Sequence, residues 1–209
     1  MKEQQQLVQK GQLLPLMEAF YTIQGEGIFS GQSAYFIRLG GCDVGCVWCD
    51  VKSSWEAGDW PLVPVDKIVE EAAAYPSRLA VITGGEPMMY DLSLLTRLLK
   101  QKGFQINLET SGVYPLSGSL DWICFSPKKF KAPDVGIYEC ADEMKVIIYH
   151  KSDFAFALKH AALVHDKCHL LLQPEWSRAT EMTPLIIDFV KENPSWRVSL
   201  QTHKYMEIP

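Results

Sequence analysis

The 209-residue sequence has no apolar run approaching the roughly 20 residues that cross a bilayer. Its opening stretch, MKEQQQLVQKGQLLP, lacks the apolar core of a secretory signal. These absences predict a cytoplasmic protein without membrane association. Positive charge is not in excess: 20 lysines and arginines face 25 acids, for a formal net charge of -5. That argues against a broad nucleic-acid-binding surface and leaves room for a small basic cluster such as Lys128, Lys129 and Lys131. There is no internal repeat, no low-complexity linker, no phosphate-binding P-loop and no credible Ser/His/Asp triad. Cysteine is sparse, at six residues, and in a cytoplasmic setting these read as reduced thiols rather than a disulfide framework. The length suits one domain that can bury a core unaided.

Strand-like and helix-like segments alternate along the chain. Strands are expected at Ser33–Leu39, Leu79–Thr83, Phe104–Leu108, Asp121–Phe125, Glu143–Tyr149, His169–Leu172 and Trp196–Gln201. Helices are expected at Val65–Tyr75, Asp91–Lys102, Asp153–Val164 and near Thr180–Glu192. Such βα alternation predicts a single α/β domain with a parallel sheet and outer helices. The Gly112–Leu120 crossover, with Pro115 and Gly118, is too short for a helix, so an incomplete barrel of the TIM type is expected rather than a full eightfold one. Polar and Gly-rich segments fall just after the strands, the edge where such sheets bind ligands.

Half of the cysteines are packed together: Cys42-Asp-Val-Gly-Cys46-Val-Trp-Cys49 has the spacing C-x3-C-x2-C. Three thiolates on one loop can grip one metal centre from one side. A structural zinc site takes four ligands, often as two separated pairs, and there is no second pair. Three cysteines suit a cubane iron–sulfur cluster with one iron left open; zinc with a distant fourth ligand and chance clustering of structural thiols are the alternatives. Cys124, Cys140 and Cys168 read as core or partly exposed thiols. The strand-end motifs are Thr83-Gly84-Gly85-Glu86-Pro87, Glu109-Thr110-Ser111-Gly112, Ser126-Pro127-Lys128 and Gln173-Pro174-Glu175-Trp176.

Cys42, Cys46 and Cys49, with Trp48 just before the third cysteine, resemble the signature of the radical S-adenosylmethionine (SAM) superfamily, and Thr83–Pro87 resembles its GGEP motif. The resemblance implies a [4Fe-4S] cluster whose open iron chelates SAM, and electron transfer that cleaves the sulfonium to methionine and a 5′-deoxyadenosyl radical. It implies SAM contacts at Trp48, Gly85, Glu109, Ser126, Pro127, Lys128, Gln173, Pro174, Glu175 and Trp176. Glu86 is expected to shape its loop rather than act as an acid.

The flanks resemble one family, the 7-carboxy-7-deazaguanine synthases. They are Phe20-Tyr21-Thr22-Ile23-Gln24-Gly25-Glu26-Gly27, Arg38 in the first strand, Ser126-Pro127-Lys128, Leu172-Gln173-Pro174, and the closing Ser199-Leu200-Gln201-Thr202-His203 to Pro209. The resemblance runs from about Glu18 to the chain end, leaving 1–17 as an N-terminal extension and 18–209 as a radical SAM core with a tail covering the site. It implies conversion of 6-carboxy-5,6,7,8-tetrahydropterin to 7-carboxy-7-deazaguanine with loss of ammonia, feeding queuosine and other deazapurines. It also implies a homodimer and a flavodoxin-type electron donor. Ile23, Gln24, Gly25, Arg38, Thr83, His203 and Pro209 match substrate contacts; an arginine can hold a carboxylate bidentately. One position departs. The family usually carries Thr or Ser after Cys-Asp, whose hydroxyl helps bind Mg2+, but this chain reads Cys49-Asp50-Val51, and Val51 has no side-chain oxygen. Glu175-Trp176 also stands where many relatives have Met-Asp or similar. An activase that places a glycyl radical on a partner protein, and a zinc module without catalysis, are the competing readings.

Overall fold

A computed structural model describes residues 2–209. Helix α1 (Lys2–Gln9) leads into the long strand β1 (Leu13–Ile23). β2 (Ser33–Leu39) follows, then a short β3 (Leu62–Pro64), α2 (Val65–Ala73), β4 (Leu79–Gly84) and α3 (Ser93–Gln101). Next come β5 (Gln105–Thr110), β6 (Trp122–Phe125), the one-turn α4 (Ile137–Cys140), β7 (Glu143–Ile148) and α5 (Asp153–Ala161). The chain ends with β8 (His169–Pro174), α6 (Ala179–Glu192), β9 (Trp196–Val198) and α7 (Thr202–Met206).

The strands form one nine-stranded sheet in the order β3-β1-β2-β4-β5-β6-β7-β8-β9. From β2 to β9 every neighbouring pair is parallel, and the order does not close on itself. This is the expected partial barrel. β5 passes to β6 without a helix, as the short Gly112–Leu120 crossover requires.

The central strands are buried on both faces: Tyr35, Ile37, Leu39, Ala80, Val81 and Ile82 are fully buried, so they read as continuous apolar runs rather than alternating ones. The helices cover the outside with apolar stripes, such as Val65, Ile68, Val69 and Ala72 of α2 at helical spacing. One core cluster joins β1, β2, β4 and β5 to α2 and α3. A second joins β6, β7 and β8 to α5 and α6.

Two segments differ from expectation. Residues 13–17, expected within an N-terminal extension, open β1, where Leu14 is fully buried. β1 runs antiparallel between β2 and β3. Pro15 masks it in the sequence; near a sheet edge a proline is tolerated, and the pairing shifts register between Leu16 and Glu18. The last strand stops at Val198 instead of Gln201, because Ser199 and Gln201 turn inward and are buried.

Candidate active site

The C-terminal ends of the parallel strands surround a cavity of about 260 Å³. Its wall carries Cys42, Cys46, Trp48 and Cys49 from the loop after β2, Thr83 from β4 and Gly85 just after it, Glu109 from β5, and Ser126 and Lys128 after β6. Gln173 and Pro174 at the end of β8, with Glu175 and Trp176 after it, complete one side, and Ile23, Gln24, Gly25, Arg38, His203 and Pro209 the other. Of the expected site residues, Pro127 alone does not line it.

The cysteine loop is fixed at its root by backbone bonds, Gly41 N to Ser54 O at 2.6 Å and Cys42 N to Trp55 O at 3.0 Å. The Gly84–Glu86 turn packs directly on it: a Cβ on Gly85 would lie 2.2 Å from Gly41 O and 2.8 Å from Cys42 Cβ. Glycine is required there for backbone approach. Glu86 is buried and accepts from Met88 N (3.0 Å), Thr110 Oγ1 (2.6 Å), Ser111 N (2.8 Å) and Ser111 Oγ (2.5 Å). With every lone pair committed it knots the β4 and β5 ends together, the shaping role expected of it.

Among the described residues no three His, Cys, Asp or Glu side chains converge as ligands of a single ion. A cubane instead takes each thiolate on a different iron, and Cys42, Cys46 and Cys49 all line the one cavity. Burial raises the Cys42 thiol pKa and pushes Cys46 up to about 11, so metal binding must displace protons. Lys128 lies half-buried beside the loop, donating to Ser126 Oγ at 2.6 Å with its ammonium 5.2 Å from the Trp48 ring centroid. The residues therefore fit a cluster with SAM over the strand ends. They do not fit the family's Mg2+ position: Val51 lines the cavity without a side-chain oxygen, and Asp50 Oδ2 stands 3.7 Å from Lys204 Nζ.

The anticipated basic cluster is not a free patch. Lys128 faces inward, Lys129 pairs with Asp153, and Lys131 pairs with Asp43 at 2.6 Å. Arg38 lines the cavity with Nε 2.6 Å from Glu18 Oε1, and its guanidinium lies 5.9 Å from the Phe20 ring centroid.

On the opposite side, Gln24 donates to Glu109 Oε1 at 3.0 Å, and Thr83 Oγ1 donates to Glu109 Oε2 at 3.3 Å. The tail closes against this loop. Thr202 N and Oγ1 donate to Gly25 O at 2.8 and 3.0 Å, and Thr22 Oγ1 donates to Pro209 O at 3.3 Å. A Cβ on Gly25 would meet His203 N at 2.6 Å.

Sequence reasoning overlooked Lys145 and gave no site role to Glu26 and Gln201, though both lie in the flanking motifs; all three line the cavity. Glu26 pairs with Lys145 and accepts from Gln201 Nε2 at 2.8 Å. A signal was present: in β7 the charged Glu143 and Lys145 alternate with Met144, Val146 and Ile148, which pack in the outer core. Charges at period two in a buried strand mark an interior polar face.

A family model described as the radical SAM superfamily matches residues 36–152. The chain is 57% identical over 208 residues to a 7-carboxy-7-deazaguanine synthase of Flavobacterium psychrophilum, covering 100% of this chain and 99% of the relative. The chain belongs to the 7-carboxy-7-deazaguanine synthase family. It is also 45% identical to the synthase of Synechocystis, with 93% of each chain covered. The crystal structure of QueE from Escherichia coli matches with a TM-score of 0.81 and 32% identity, over 93% of this chain and 96% of that one. As a radical SAM enzyme of this family, the chain uses a [4Fe-4S] cluster and SAM.

Proposed function

We propose that this synthase converts 6-carboxy-5,6,7,8-tetrahydropterin to 7-carboxy-7-deazaguanine with release of ammonia. The observation that carries the reading is the meeting of two residue sets in one cavity: the three cysteines with the strand-end motifs on one wall, and the Gln24–Gly25 loop, Arg38 and the His203–Pro209 tail on the other.

When bound, the cluster and SAM supply hydrogen-atom abstraction from the substrate carbon beside the carboxylate, with SAM regenerated. Cys42, Cys46 and Cys49 hold the cluster. Gly85 lets the backbone approach, and Ser126, Lys128, Glu109 and the Gln173–Trp176 turn hold SAM; Pro127, buried away from the cavity, makes no such contact. The Gln24 amide and the backbone of Ile23 and Gly25 read the pterin edge, and Thr83 adds a hydroxyl. Arg38 holds the substrate carboxylate bidentately. The tail with His203 and Pro209 covers the pterin and keeps water from the reacting centre.

The reading extends to a cytoplasmic homodimer reduced by a flavodoxin-type donor, and the product serves queuosine formation. Among the described residues no helix is long and apolar enough to cross a membrane. Anaerobic incubation of reconstituted protein with SAM, a reductant and the carboxytetrahydropterin tests the activity. A deazapurine of the expected mass supports it; intact pterin beside fully loaded cluster contradicts it.

A further inference from the structure

We propose that Lys145 is a positioning residue: its buried pairing with Glu26 fixes the 24–28 loop in the shape that receives the pterin. The inference rests on the proposed reaction. The strands leave the barrel open, with β1 near one end of the sheet and β7 to β9 at the other. The loop after β1 spans that opening. Gly27 N donates to Ser199 Oγ at 3.1 Å, and Ile28 N donates to Glu143 Oε2 at 3.0 Å. Ser199 Oγ in turn donates to Gln173 Oε1 at 2.7 Å. Lys145 and Glu26 sit at the centre of this bridge.

Lys145 is 4% exposed and Glu143 equally so. Burial works against the ammonium, but Glu109, Glu26, Cys124 and Glu143 around it push its pKa well above that of an ordinary lysine. Burial likewise opposes the Glu26 charge, yet Lys145 and the Gln201 and Gln173 amides bring its pKa down to about 2. One ammonium thus stands among three interior carboxylates. Removing it leaves Glu26 facing Glu109 and Glu143 without a counter-charge, and the loop that carries Gln24 and Gly25 is pushed outward. A buried ion pair is weak evidence for stability, because apolar replacements often stabilise. Its use here is placement: through Gln201 the same carboxylate also sets the start of the tail.

The test uses the reconstituted holoenzyme and reads KM for pterin and for SAM separately, with hydrogen exchange at the Gly27 and Ile28 amides. Lys145→Met should raise pterin KM at least about tenfold while SAM KM stays within about twofold, and both amides should exchange faster. Lys145→Arg should recover much of the pterin KM. Glu26→Gln should reproduce the Met pattern, and the double variant should be no worse than the worse single, as expected for partners in one interaction. If Lys145→Met does not fold, the near-isosteric Glu26→Gln decides. Unchanged pterin KM and amide exchange in the folded variants, or equal rises in both KM values, would overturn the role. Failure of the wild type to form any deazapurine overturns the proposed reaction instead, and the exchange data then judge the loop's dependence on Lys145.

Discussion

Residues 24–28 and residues 42–51 both line the cavity, but they are held by different means. The first segment is tied inside the protein to Glu109, Glu143, Lys145, Ser199, Gln201 and Thr202. The second is anchored at its root, turns through Cys49 N to Cys46 O at 3.1 Å, and leaves Val47 64% exposed between two cysteines. Its further ties lie at the surface: Asp43 accepts from Tyr114 and Lys131 at 2.6 Å each, and Asp50 faces Lys204. Pairs of that exposed kind add little stability. On the proposed reading the pterin side is preorganised by the chain itself, whereas the cysteine loop would take its remaining order from the metal it binds.

The comparison can be broken most severely at the thiols. Cys46→Ala should abolish both activity and the broad absorbance near 400 nm expected of an iron–sulfur cluster, at about the detection limit of each. Retained iron, sulfide and turnover would contradict the assignment. Gly25→Ala strikes the preorganised side. Its Cβ would press on His203 N, displacing the tail, and kcat/KM for pterin should fall by about a hundredfold while cluster absorbance is kept.

A smaller effect is expected from pH. Burial lowers the His203 pKa below 6.5, with Glu26 opposing. The folded state therefore favours the neutral ring, and its contribution to tail closure is present above 6.5 and lost as pH falls through the lowered value. Pterin KM should rise several-fold toward acid, and His203→Gln should flatten that profile. Glu26, with its pKa near 2, stays ionised across this window. The smallest effect concerns Mg2+. With valine at position 51, chelation should change the rate by no more than about twofold, because a hard ion needs oxygen ligands. Val51→Thr should increase the Mg2+ dependence, and a sharply Mg2+-dependent wild type would contradict the reading.

The parallel strands and their site-bearing ends were legible because buried apolar runs and polar endings alternate along the chain. The cysteine spacing named the chemistry because it is dense and local. Leu13–Ile23 was not legible: Pro15 and the register shift between Leu16 and Glu18 interrupt its pattern, although its main partner β2 follows directly. Gln201 was assigned to a strand because polarity alone does not reveal that a residue turns inward to meet Glu26. Lys145 was overlooked in an apolar strand, although its alternation with Met144 and Val146 marks the inner face. The inward turn of Lys128, against the outward pairs of Lys129 and Lys131, is set by tertiary contacts that no local pattern carries.

Substrate deuterated at the carbon beside its carboxylate offers the most direct measurement. With reconstituted enzyme, SAM and reductant under anaerobic conditions, 7-carboxy-7-deazaguanine should accumulate beyond one equivalent of SAM, and deuterium should appear in the recovered SAM. Deazapurine-free mixtures, or product formed with no label in SAM, would contradict the account.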